Sequence, residues 1–265
     1  MRRFQVSEEQ IAAFDDDGFF VVDGLLDAEE TELLKNIARA DHEMVQKADT
    51  RADGEGGAVR IKVENELGES DIYSAIVRAE RIVSTMEALL LDEVYHYHHK
   101  MILKEPRVGG AWAWHQDYGY WYDNGCLFPH LASCMIAVDR ATKENGCLQV
   151  LQGSHHIGRM NHGKVGDQTG ADPERVAAAL ERLELMHVEL EPGSAVFFHC
   201  NVLHRSDQNK SEHPRWAFIC CYNTKGNNPY KESRHPRYTP LHKWPDSMIL
   251  EIGRRHWARM QAAVV

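Results

Sequence analysis

The hydrophobic rhythm of the chain changes near residue 93. Before that point apolar positions recur at helical spacing; after it, short apolar runs are divided by Gly, Pro and Asn. SEEQIAAFDDD at 7–17 opens on a serine followed by acids, which predicts a helix with its N-terminus at Ser7 and its end at Gly18. FFVVDGLL then reads as a short strand. From Asp27, the residues Leu33, Leu34, Ile37 and Ala38 fall on one helical face. DTRADGEGGA at 49–58 predicts a glycine-rich loop without core content, and the long amphipathic stretch 71–92 predicts one helix.

The second half predicts strands over 94–104, 131–139, 147–151, 186–190, 194–200 and 214–223. Runs this short, spaced by turns, point to an antiparallel sandwich or barrel. DPERVAAALERLE at 172–184 reads as an inserted helix with proline near its first turn. A polar, Pro- and His-rich tail follows residue 223, and a short helix closes the chain at 246–263. With no internal repeat and no low-complexity linker, the pattern describes one α+β domain over 1–265, its β core at about 94–223.

Composition narrows the setting. At 265 residues, 43% hydrophobic and 26% charged, a packed core is expected. A formal charge of −10 speaks against nucleic acid or anionic membrane as partner. The six cysteines show no CxxC spacing, so they read as reduced thiols, mostly in the core. No apolar h-region follows the N-terminal arginines, and no stretch approaches the ~20 apolar residues of a membrane span. The expectation is a cytoplasmic protein acting on a small molecule, its oligomeric state unread.

Chemistry concentrates in WAWHQDYGY at 112–120. On an extended strand His115 and Asp117 project from one face, and the aromatic flanks enclose them. A buried carboxylate needs compensation, which a metal supplies. The third ligand should come from another strand. His204, in AVFFHCNVLHRSD, follows a strongly apolar run; His199 is the rival, though FFHC would bury it mid-strand. Two histidines and one carboxylate make the facial triad of non-haem Fe(II) oxygenases. Most of the sixteen histidines have ordinary roles: alternation splits His96, His98 and His99 between faces, His155 and His156 sit at a turn, and His235 and His242 read as surface. Arg215 follows in HRSDQNKSEHPRW, where turn residues suggest a hairpin returning it towards the metal, at the head of the apolar run WAFICC. An arginine turned into a β-fold suits a carboxylate gripped bidentately.

Through these motifs the chain resembles the phytanoyl-CoA dioxygenase (PhyH) family of Fe(II)- and 2-oxoglutarate-dependent oxygenases, which includes ectoine hydroxylase. The likeness runs from FDDDGFFVVDGLL through KMILKEP, WHQD, ENGCLQVLQGSH and the H-x-S…R element to about residue 223. It implies a double-stranded β-helix, a jelly-roll or cupin-like core with flanking N-terminal helices. It also implies that His115, Asp117 and His204 hold iron and that Arg215 holds the distal carboxylate of 2-oxoglutarate, assisted by Ser206. Lys100 and Met135 fall where relatives place cosubstrate contacts, Lys62 in IKVEN is a weaker match, and Trp112 lines the pocket. QGSH stands where the family commonly has PGSH, which alters a turn and leaves the chemistry alone.

The implied reaction is hydroxylation of an aliphatic C–H with O2, releasing succinate and CO2. Related halogenases leave the carboxylate position empty for chloride, so Asp117 favours hydroxylation. A cupin-like hydrolase or isomerase using the triad for Lewis-acid chemistry would have no use for Ser206 and Arg215. A degenerate binding module would be expected to have lost part of the set. A pocket lined by Trp112, Tyr118, Tyr120, Trp121 and the 98–100 strand suits an apolar body or a cation over π faces, and a small free metabolite more than a CoA thioester.

Overall fold

The computed structural model of the chain describes residues 4–53, 56–165 and 167–263. The two N-terminal arginines and the Gly54–Glu55 portion of the predicted 49–58 loop lie outside them. Helix α1 (Glu8–Asp17) begins with a capping box in which Ser7 and Gln10 bond each other's backbone N–H. It ends at Gly18, whose φ of +85° and close neighbours Val202 and His155 leave no room for a side chain. Strand β1 (Phe19–Val22), helices α2 (Ala28–Ala40) and α3 (His42–Gln46), and strands β2 (Asp49–Ala52) and β3 (Ala58–Glu64) follow. The hairpin of β2 and β3 replaces the loop expected at 49–58. Its residues form a mostly exposed edge, so pairing with the sheet rather than burial holds them, and no apolar pattern marks them.

The single helix expected over 71–92 is two, α4 (Ile72–Arg78) and α5 (Glu80–Leu90). The break at Ala79 comes from the tail: Trp244 donates its N–H to Arg78 O and accepts from Glu80 N–H. The remaining elements are β4 (Val94–Lys104), β5 (Trp112–His115), α6 (Asp117–Trp121), β6 (Leu131–Ala137), β7 (Leu148–Leu151), β8 (His162–Val165), β9 (Gln168–Ala171), α7 (Pro173–Leu180), β10 (Leu185–Val188), β11 (Ala195–His199), β12 (His204–Ser206), β13 (Arg215–Thr224) and α8 (Met248–Ala262). The β8–β9 ribbon has no counterpart in the hydrophobic pattern, because β8 is largely exposed.

Seven strands form one antiparallel sheet in the order β1-β11-β6-β13-β4-β3-β2, and four form a second, β10-β7-β12-β5. This is the double-stranded β-helix. Alternate residues of the large sheet serve two cores. Cys134, Ile136, Phe197, Phe218 and Cys220 pack under the helices, while Met135, Ala137, Val196, Phe198 and Ile219 pack towards the small sheet. Burial on both faces explains why β6 and β13 read as unbroken apolar runs. A bulge leaves Tyr97 unopposed between the pairs Cys221–His98 and Tyr222–His96. It sends His98, Lys100, Ile102 and Lys104 to the inner face and joins His96 to His99 on the other, their ring nitrogens 3.1 Å apart. All six cysteines are buried and free. Among the described residues no helix is long and apolar enough to cross a membrane.

Candidate active site

A cavity of about 380 Å³ opens between the sheets. At its wall His115 ends β5 and His204 begins β12, and the two are register partners. Each Nδ1 sits against a carbonyl two residues back, Ala113 O at 2.8 Å and Val202 O at 2.9 Å. Donation there fixes the tautomer and leaves both Nε2 lone pairs free. Burial holds both imidazoles below the usual histidine range, with His115 lowered further by His204. Neutral rings are what a metal requires.

Asp117 is the first residue of α6 rather than part of the strand. Gln116 keeps extended angles (φ −113°, ψ 135°), so strand alternation carries through it and the carboxylate still reaches the side of His115, Oδ1 lying 3.8 Å from Nε2. One donor atom from each of His115, Asp117 and His204 lies within 4.8 Å of the others, and all three residues are buried. Free lone pairs, a buried carboxylate and mutual proximity fit a divalent metal with open positions. His199, the rival ligand, lies apart: its ring packs on Phe14 and His155, and its Nδ1 accepts from Asn201 N–H.

Arg215 and Ser206 line the same cavity, yet no hairpin joins them, since β12 belongs to the small sheet and β13 to the large one. Arg215 is 4% exposed, its Nε has no partner, and burial pushes its pKa down to about 10. Lys100 Nζ stands 3.6 Å from Asp117 Oδ1. Met135 and Trp112 line the cavity, Trp112 with its ring 5.9 Å from that of His115. Lys62 does not join them. It faces the opposite side of the sheet, pairs with Glu64 at 2.6 Å and lines a separate cavity under the helices, because strand alternation opposite Met101 turns it outward. Tyr118 is absent from the lining as well, its hydroxyl donating to Leu127 O.

Several residues at the site escaped sequence reasoning. Lys104, fully buried, lines the cavity and donates to Ser206 Oγ at 2.8 Å. His235, expected at the surface, is 9% exposed and stacks on Tyr97 at the cavity wall; the polar tail folds back over the aromatic end of β4. Arg51 and Arg234 line the cavity too. Gln116, between two triad members, donates to Gly158 O and Asn201 O and accepts from Met160 N–H. The repeated KMILKEP spacing of Lys100 and Lys104, both on one face of a strand, was the available signal for Lys104.

A jelly-roll core with a buried His-x-Asp…His triad at its mouth and a buried arginine in the same cavity defines a non-haem iron, 2-oxoglutarate-dependent oxygenase. Within that class the chain belongs to the phytanoyl-CoA dioxygenase (PhyH) family, whose model matches residues 14–217. It is 30% identical to L-proline trans-4-hydroxylase of Streptomyces griseoviridis over 63% of this chain and 68% of that protein. It is 28% identical to ectoine dioxygenase of Bordetella bronchiseptica over 88% and 80%. Its fold matches the crystal structure of EctD from S. alaskensis with 2-oxoglutarate and 5-hydroxyectoine at a TM-score of 0.77, with 24% identity and coverage of 91% and 89%.

Proposed function

We propose that this chain hydroxylates an aliphatic C–H of a small free metabolite, with His115, Asp117 and His204 holding iron and Arg215 and Ser206 holding the far carboxylate of 2-oxoglutarate. The observation that carries the reading is the meeting, in one cavity, of a buried three-donor cluster and a buried arginine whose Nε has no partner among the described residues. Held by these residues, iron and 2-oxoglutarate would supply the oxidising power, one oxygen atom of O2 going to the substrate C–H and the other to the succinate left when the 2-oxo acid loses CO2. The protein's own work is placement. His115 and His204 present Nε2 because their Nδ1 protons are committed to carbonyls. Arg215 offers a planar fork to a carboxylate, and Trp112, Tyr120 and Trp121 wall the cavity that holds the triad.

A cavity of about 380 Å³ lies at the small end for ligand sites and must take cosubstrate and substrate together, which favours a small molecule over a CoA thioester. The likeness to proteins named for L-proline and ectoine supports the same size class. The helices and the large sheet share one apolar cluster from Phe14 to Ile249, which supports a single oxygenase domain. A metal-dependent hydrolase or isomerase leaves the buried cation Arg215 without purpose. The test is anaerobic addition of Fe(II) and then 2-oxoglutarate, watching for the visible absorption of the chelate, followed by succinate release across a panel of amino acids and other small metabolites. A chelate band with substrate-stimulated succinate supports the reading; bound iron without a band sinks it.

A further inference from the structure

A second cavity, of about 300 Å³, lies between α3, α4 and α8 and the helix-facing side of β3, β4 and β13. The proposed reaction makes no use of it. Its charges are unbalanced: Asp41, Glu43, Glu64, Glu66 and Asp71 face only Lys47 and Lys62. Glu43 and Glu64 pair with those two lysines, and among the described residues no ion pair reaches the other three carboxylates. Asp41 accepts from the Tyr73 hydroxyl and from Met44 N–H, and Asp71 Oδ1 accepts from Ser74 N–H. These are neutral donors, so the negative charge stays unmet.

Aromatic rings form the floor. Tyr73 and His99 pack on Phe218 with centroids at 5.7 and 5.5 Å, and His256 meets Tyr73 edge-on at 6.2 Å. His99 is 6% exposed, and burial pushes its pKa down to about 4, so its ring is neutral. Its Nδ1 lies 3.1 Å from His96 Nε2, which leaves Nε2, without a partner among the described residues, to the cavity. His256, whose Nδ1 accepts from Ile72 N–H, is also held below the usual histidine range by burial. Neither histidine offsets the acids.

Carboxylates set over aromatic faces suit an organic cation. The acids are too spread for a bare metal ion, since among the described residues only His115, Asp117 and His204 bring three such donors within 4.8 Å of one another. An amine N–H would select the tautomer in which His99 Nδ1 donates to His96 and Nε2 accepts.

We propose that this second cavity binds a small organic ammonium ion, a primary amine. Its carbon chain lies on Tyr73 and Phe218, its charge is met by Asp71 and Glu66, and an N–H bonds His99 Nε2. The site is distinct from the triad cavity: His98 and Lys100, the neighbours of His99 along β4, face that other space.

Calorimetry on the full chain, with Fe(II) and 2-oxoglutarate present under anaerobic conditions, tests the proposal. The probe is 1,4-diaminobutane, and 1,4-butanediol is the uncharged control of equal length. One diamine is expected to bind per chain, and the diol not at all. Asp71→Asn, which keeps a residue able to cap α4, should weaken diamine binding about tenfold or more, the range for a hydrogen bond to a charged group. Glu66→Gln, on the exposed rim, should weaken it about twofold to fivefold. Glu174→Gln, an exposed acid on α7, should change nothing. Absence of diamine binding, equal affinity in Asp71→Asn and Glu66→Gln, or an equal loss in Glu174→Gln would overturn the proposal, the last by showing a general attraction to an acidic surface. If Asp71→Asn fails to fold, Glu66→Gln against Glu174→Gln decides the matter.

Discussion

His115 and His204 are direct partners across β5 and β12, with ring centroids 4.0 Å apart. Antiparallel neighbours place opposed side chains about 5 Å apart at Cβ, so strand pairing itself brings two imidazoles to a distance one ion can bridge. Asp117 joins from the turn into α6. The donor set is thus mounted on rigid elements, which is what a preorganised metal site needs.

Removing one donor should therefore empty the site without unfolding the protein. His204→Ala is expected to lower Fe(II) affinity by at least about a hundredfold, with circular dichroism unchanged. Equilibrium dialysis against Fe(II) under argon checks this; stoichiometric binding by the variant would place the metal elsewhere.

Arg215→Met separates binding from stability. The variant is expected to lose 2-oxoglutarate affinity by about thirtyfold or more, since truncating a buried charge partner costs about 2–5 kcal/mol. Without ligand, the removal of a buried, unneutralised cation should leave thermal stability equal or higher. A marked fall in apo-protein melting temperature would show that Arg215 serves the fold instead.

Gln116 ties the triad strand to two loops through three bonds of 2.7–2.8 Å. Gln116→Met would strand two carbonyls and one N–H in the core, at about 1–3 kcal/mol each. Expected are a lower urea midpoint and weaker iron binding together. Normal stability in the variant would show that water replaces the amide.

Stability should fall in mild acid. Burial holds His99 and His235 at about 4 and His199 at about 3, below the value near 6.5 in an unfolded chain. Below that value the unfolded state binds the extra protons, so stability is full above about pH 6.5 and declines as pH drops through the window towards 4. Each such histidine contributes about 1.4 kcal/mol per pH unit while it differs between states. Urea unfolding of the apo-protein at pH 7.5 and 5.0 measures the loss, and His99→Gln should flatten it.

Much of this was legible in the chain. The capping box at Ser7, the helix from Asp27 and the strands at 94–104 and 214–223 carry strong local signals and lie where the pattern puts them. The interrupted helix at Ala79, the edge hairpin of β2 and β3 and the β8–β9 ribbon were not legible. Each depends on partners distant in sequence, such as Trp244 for the helix break. His235 reads as a surface residue locally and becomes buried only because the tail returns to Tyr97.

The amino-acid sequence by itself determined the chemistry available: a His-x-Asp pair, a histidine after an apolar strand, an arginine heading another, and the alternation that divides each strand between two cores. Tertiary structure decided which of these groups meet. It chose His204 over His199 through register with β5, turned Lys62 away from the cavity through its place opposite Met101, and set Lys104 against Arg215. The physical reason is that side-chain type and period are local properties, whereas strand register and bulges are settled by the collective fit of two sheets and the helices packed on them.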